Sequence, residues 1–160
     1  MRKLITIGLW VFPLLIFAQD EYEKTRIQAL RHALAEIEHN DVDAVTDFEG
    51  KTEFWSFAKL NEHVVSFEVW SYQDDNLISE YYLVENGNLI FAFERQLFMP
   101  LNHTLQMMWN CAYYLSDEKV FYHISLGHGK TEDDDWQPEV IVDQYNNRVQ
   151  QQEHIHDEYR

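Results

Sequence analysis

Glu80 is the residue whose type and position most suggest chemistry. It stands in the run L-I-S-E-Y-Y-L-V, where strand alternation places its carboxylate on the same face as Tyr82 and Val84. A carboxyl desolvated on an apolar face has its pKa raised and can act as a general acid, unless a cation neutralises it. Arg95, two residues beyond Phe93, is the cation expected to reach it, so an ion pair at the sheet edge is the simpler reading. A hydrolytic reading would use Glu80 with His123 or His63 and requires these groups to converge in one cleft. The sequence holds no G-x-S-x-G, H-E-x-x-H or C-x-x-C motif to support it. Cys111 is the single cysteine, which excludes an intrachain disulfide, and its place in N-C-A-Y-Y-L predicts a buried strand residue.

Metal and phosphate motifs fail on inspection. Asp41, Asp43 and Asp47 have the start of a calcium loop. Val45 then stands where an oxygen ligand is needed, Thr46 replaces the turn glycine and Thr52 the closing glutamate. The run Glu132–Asp135 is acidic but forms no cage, and Gly127 and Gly129 are wrongly spaced for a phosphate loop. His154, His156 and Asp157 come nearest to a metal set, with no further ligand identified beside them. No metal and no cofactor is expected, and no catalytic residue is assigned.

The elements that must position these residues are β-rich. From Val64 to Glu94 three strand-like runs are separated by Q-D-D-N and E-N-G-N, a β-meander. Asn86-Gly87 suits a two-residue type I′ turn, which needs positive φ at both central positions. That turn pairs Val84 with Leu89, Tyr82 with Phe91 and Glu80 with Phe93. The Gln73–Asn76 loop pairs Val65 with Val84, Phe67 with Tyr82 and Val69 with Glu80. Both turns then select one core face: Val65, Phe67, Val69, Tyr82, Val84, Leu89, Phe91 and Phe93. A two-residue turn at Asn61-Glu62 adds the run E-F-W-S-F-A-K-L, pairing Ala58 with Val65 and Phe54 with Val69. Trp55 and Phe57 then join Trp70, Tyr72, Tyr81 and Tyr113 on the second face. Rings with polar tips suit a wet binding surface for a sugar or peptide, and Trp55, Trp70, Tyr72 and Tyr81, with Glu80, are the expected ligand-binding residues. A second hairpin at Asp117-Glu118 pairs Leu115 with Val120, Tyr113 with Tyr122 and Cys111 with Ile124.

Residues 1–18 have the three parts of a secretory signal: Arg2 and Lys3, an apolar run from Leu4 to Phe17, and Ala18 before a polar start at Gln19. The rest, 19–160, is expected to be a single domain, with no membrane span once the signal is removed and a tail that frays from about residue 154. The formal net charge is -16. Cleavage would remove two basic residues and no acidic one, leaving the chain more acidic still. Nucleic acid and anionic lipid are disfavoured as partners, because each would approach a surface of its own sign. A helix is predicted from about Glu21 to Glu38, capped by Asp20, with Ile27, Leu30, Leu34 and Ile37 as its apolar stripe. An acidic linker follows. A second helix is predicted after Pro138, with Ile141, Tyr145 and Val149 on one side.

The string S-E-Y-Y-L-V-E-N-G-N-L-I-F-A-F-E-R-Q, followed later by E-K-V-F-Y, resembles the recurring hairpin of small exported bacterial proteins of unknown function. The likeness covers about residues 51–126 and implies export and a meander sheet. It brings no catalytic residues. The expected fold is α+β: an N-terminal helix packed on an antiparallel meander of five or six strands, with a C-terminal helix. The expected function is an exported, non-enzymatic binding module for a protein, peptide or glycan, in the periplasm or outside a Gram-negative cell. The alternative is a small-ligand pocket between sheet and helix, ahead of a hydrolase using Glu80 and a histidine.

Overall fold

Residues that tolerate positive φ build the hairpin turns. Asn86 and Gly87 have φ of 52° and 81°, and Asp117 and Glu118 have 51° and 60°, so both turns are left-handed at both central residues. Asp74, at 51°, turns the Gln73–Asn76 hairpin. In the computed structural model, which describes residues 8–37, 42–48, 50–99 and 106–158, these turns join strands of one antiparallel sheet. The strands are β1 (Ala44–Phe48), β2 (Lys51–Lys59), β3 (Val64–Gln73), β4 (Asn76–Glu85), β5 (Asn88–Phe98), β6 (Gln106–Ser116) and β7 (Lys119–Gly127), and each pairs with the next in sequence. The sheet therefore has seven strands. The additional strand, β1, comes from the segment expected to be an acidic linker; its Ala44 is buried opposite Trp55.

The sheet separates two helices. Helix α1 (Gly8–Ala35) lays Ile27 and Leu34 on Val64, Leu83, Phe91 and Tyr114. Helix α2 (Val140–Glu158) lays Ile141 and Ile155 on the other face, against a cluster that contains Trp55, Phe67, Tyr82, Trp109 and Tyr113. The expected helices are thus present with different bounds. Helix α1 begins before Asp20, which lies within it and does not cap it, and Ile37 lies beyond its end and is exposed. Helix α2 continues through residue 154 to Glu158. The side chains of His39, Asn40, Asp41, His154, His156 and Asp157 lie outside the described residues. No helix among the described residues is long and apolar enough to cross a membrane.

Register decides which side chains face which helix. The β3–β4 pairing is the expected one, with Val65 on Val84, Phe67 on Tyr82 and Val69 on Glu80. The β4–β5 pairing starts as expected with Val84 on Leu89. A bulge then absorbs Ile90, so that Leu83 meets Phe91 and Tyr82 meets Ala92. One extra residue sends every later side chain to the opposite face. Phe91 and Phe93 consequently lie on the α1 side, and Ala92 and Glu94 on the α2 side. The same happens after Leu115–Val120, where Tyr113 faces His123 and Cys111 faces Ser125.

The β2–β3 turn is longer than two residues. The Asn61 side chain accepts hydrogen bonds from the His63 N–H (2.8 Å) and the Val64 N–H (3.0 Å), and Leu60 N–H bonds Val64 O. The resulting slip pairs Trp55 with Val69 and Phe57 with Phe67. Trp55 and Phe57 are therefore on the α2 side, apart from Trp70, Tyr72 and Tyr81.

After β7 the chain closes over Trp109, whose indole N–H donates to Ser125 Oγ (3.0 Å) and Thr131 Oγ1 (3.1 Å). A Cβ on Gly129 would collide with the Trp109 side chain near its root. Gly129→Ala is expected to destabilise the fold by about 1–3 kcal/mol through this overpacking, read as a lower urea midpoint. A change below about 0.5 kcal/mol would show that the loop yields freely.

Candidate functional site

Three carboxylates are buried on the α2 face: Glu53 on β2, Glu80 on β4 and Glu94 on β5. Glu80 and Glu94 are directly paired across the strands, an arrangement of like charges that is unfavourable unless each is neutralised. Each has its own cation and its own phenol. Arg148 donates from Nε to Glu80 Oε2 (2.7 Å) and from Nη2 to Glu80 Oε1 (3.0 Å), a two-pronged pair. Its Nη1 donates to both oxygens of Glu53 (2.9 and 3.0 Å) and to Gln151 (2.8 Å). Tyr82 donates its hydroxyl to Glu80 (2.9 Å). Lys130 bonds Glu94, as do the Tyr113 hydroxyl (2.7 Å) and the Gln144 amide (3.1 Å).

This arrangement sets the protonation states. Burial pushes the Glu80 carboxyl up, but the hydrogen bonds and charge of Arg148 outweigh it and hold the group below its ordinary value. Burial and the neighbouring carboxylates push the Tyr82 and Tyr113 hydroxyls up, so both remain donors. Glu80 is thus an ionised structural acceptor rather than a proton donor. Its partner is Arg148, not Arg95. Arg95 lies on the α1 face, because alternation and the Ile90 bulge turn it away, and donates to Ser79 Oγ (2.7 Å) and Glu68 Oε1 (3.2 Å). The two histidines stay apart from Glu80. His123 is on β7, three strands away or about 14 Å, with its ring 5.3 Å from that of Trp136. His63 is in the β2–β3 turn, beside the far end of β4. Cys111 is buried, and burial pushes its thiol up, as suits an unreactive core residue.

The α1 face holds the other expected residues. Two rows cross it beyond the end of α1. One runs Phe54, Trp70, Ser79, Arg95, Asn110 and Leu126. The next includes Tyr72, Leu77, Leu97 and Met107. Phe54 stacks on Trp70 at 5.9 Å and meets Tyr72 edge-on at 6.2 Å. Tyr72, Met107 and Leu126 are more than half exposed. A depression of about 190 Å³ beside them is lined by Ser66, Glu68, Trp70, Tyr72, Tyr81 and Arg95, among others.

Of the expected binding residues, Trp70, Tyr72 and Tyr81 are therefore brought together. Trp55 and Glu80 are not. Trp55 is fully buried on the α2 side, its N–H donating to Thr46 Oγ1 (3.0 Å) and its ring 6.1 Å from Phe67. Sequence reasoning missed Phe54 and Arg148. The signal for Arg148 was its spacing: it falls on the helical stripe between Ile141, Tyr145 and Ile155, where an apolar residue is the rule.

Among the described residues no group of three or more His, Cys, Asp or Glu side chains could hold a metal ion. No protein-family model, curated protein or solved structure matches the chain.

Arg148→Met should cost about 3–5 kcal/mol, because it leaves Glu53 and Glu80 buried without their cation; urea unfolding measures it. The pH dependence follows with a definite sign. Because the folded Glu80 pKa lies below the unfolded one, its contribution is complete above the ordinary carboxylate range and is lost as pH falls through the folded value. Glu80→Gln should therefore flatten the decline in stability between about pH 5 and pH 2. An unchanged slope would remove Glu80 from that role.

Proposed function

We propose that this chain is an exported, non-enzymatic module that binds a basic protein through the open half of its α1 face. One observation carries the reading: Tyr72, Met107 and Leu126 are exposed, and Trp70 half-buried, on the part of the sheet that lies beyond the end of α1. Exposed apolar patches of this kind mark interaction surfaces, and aromatic residues with Met are enriched where proteins meet. Ser79, Arg95 and Asn110 lie in the row between Trp70 and Leu126, and Arg95 pairs there with Glu68, so the surface offers polar contacts among its apolar ones. The charge of -16 supplies the rest, since a basic partner is steered toward it while nucleic acid and anionic membranes are repelled. Export rests on the character of residues 1–18.

Among the described residues of this face, no acid, base or nucleophile is set up for catalysis. Glu68 and Arg95 are paired with each other, and the buried carboxylates of the opposite face are held as structural acceptors.

Replacing Tyr72 and Leu126 by Ser tests the reading without opening the core, as both are exposed. Capture of a basic partner from the extracytoplasmic fraction of the source cells, weakened by salt, is expected for the wild-type chain. It should fall by about tenfold or more in the double variant, the effect of losing one or two interface anchors. Equal capture by both proteins, or capture only of glycans, would overturn it.

A further inference from the structure

The other side of the sheet holds a cleft of different character. It lies between α2 and the β1–β2 hairpin as an open groove of about 650 Å³, within the range of small-molecule sites. Its charges balance: Glu53 and Glu80 are opposed by Arg148 and Lys51. Neither an anion nor a cation finds a surplus of opposite charge there. The guanidinium, moreover, is already committed to Glu53, Glu80 and Gln151, so it cannot clamp a phosphate or carboxylate without abandoning buried acids.

The remaining wall is made of carboxamides. Asn147 and Gln150 are exposed on α2 at the cleft, and Gln151, whose oxygen accepts from Arg148, lines it with them. A carboxamide offers a donor and an acceptor side by side. A vicinal pair of hydroxyls, each able to donate and accept, is the complementary group. At the rim Phe48 presents an exposed ring, which can cover the C–H face of a sugar. Beneath these groups, the Arg148 pairs with Glu53 and Glu80 tie the floor to both sheet and helix, so the backbone that carries the wall is held before any ligand arrives.

We propose that this cleft is a binding site for a neutral saccharide, held by the Asn147, Gln150 and Gln151 amides with one sugar face on Phe48. The site is separate from the protein-binding face, since the whole thickness of the sheet lies between them. It binds by hydroxyl recognition, with no covalent step.

The test uses the full chain and calorimetric titration with maltohexaose, cellohexaose, mannohexaose and N-acetylchitohexaose, with an oligogalacturonate as the anionic control. At least one neutral sugar is expected to bind. The Asn147→Ala, Gln150→Ala double variant should weaken it about tenfold or more, the scale of one or two lost hydrogen bonds, with melting temperature unchanged because both residues are exposed. Phe48→Ala should weaken it as well, whereas Tyr72→Ser should leave it intact. Absence of binding across the neutral sugars, tighter binding of the oligogalacturonate, or undiminished binding by the double variant would overturn the proposal.

Discussion

Arg148 is shared by two buried carboxylates that sit on different strands, and much of the molecule's second half is arranged to permit this. A sheet face that carries Glu53, Glu80 and Glu94 cannot be closed by an apolar helix alone, because ionised carboxylates removed from water lose solvation that only cations and hydrogen-bond donors replace. Helix α2 supplies one cation from its own stripe. The loop between β7 and α2 supplies the other, Lys130, and Gln144 completes that second group, donating to Glu94 and accepting from Lys130. Ile141 and Ile155 provide the apolar contact at either end of the helix. The ion pairs then fix where along the sheet the helix comes to rest, since sliding it by one turn would strand Arg148 on apolar surface and leave Glu53 and Glu80 unpaired.

How much of this was legible in the sequence depended on whether a turn declared its own length. Asp74-Asp75 and Asn86-Gly87 did, and the β3–β4 register and the first β4–β5 pair follow from them. The apolar stripes of both helices were legible for the same reason: Ile27 and Leu34, or Ile141 and Tyr145, repeat at a period that only a helix satisfies. The bulge at Ile90 was not. Its effect is a gain in packing on both sides at once, with Phe91 and Phe93 meeting α1 while the small Ala92 leaves room beneath α2. Neither helix position can be known when one strand is read beside another. The Asn61 turn is a related case, because a side-chain oxygen that accepts two backbone N–H bonds lengthens the turn by one residue and inverts β2. That single residue moved Trp55 from an expected binding surface into the core.

The same logic explains why the candidate sites were only half visible. Trp70, Tyr72 and Tyr81 could be grouped because they lie on β3 and β4, whose register the sequence specified. Glu80 could be recognised as a carboxylate on a packed face, yet its partner lies 68 residues away on a helix and could not be chosen by proximity in the chain. Arg95 was the nearest cation along the strands and the bulge carried it to the opposite surface. Long-range pairing is decided by tertiary packing, and local pattern reaches it only where a stripe is broken by a residue that does not belong there, as Arg148 breaks its own.

Helix geometry accounts for the open half of the α1 face. Arg26 pairs with Glu85 at one end of β4, and Ala35 lies beside Tyr81 near its middle. The helix rises about 1.5 Å per residue, and the strand about 3.3 Å, so these two stretches are each about 13 Å long and run alongside one another. The remaining strand, from Tyr81 to Asn76, continues for about 17 Å past the point where α1 ends. Extending α1 would bring it over Trp70 and Tyr72, but the helix ends at Ala35, and the next described element, β1, is an edge strand of the sheet. The same strands continue beneath the surface that results, and the buried charge network lies on their other side. Side chains carried on hydrogen-bonded strands have less backbone freedom to lose on binding than side chains on loops, which is the physical reason to propose recognition there.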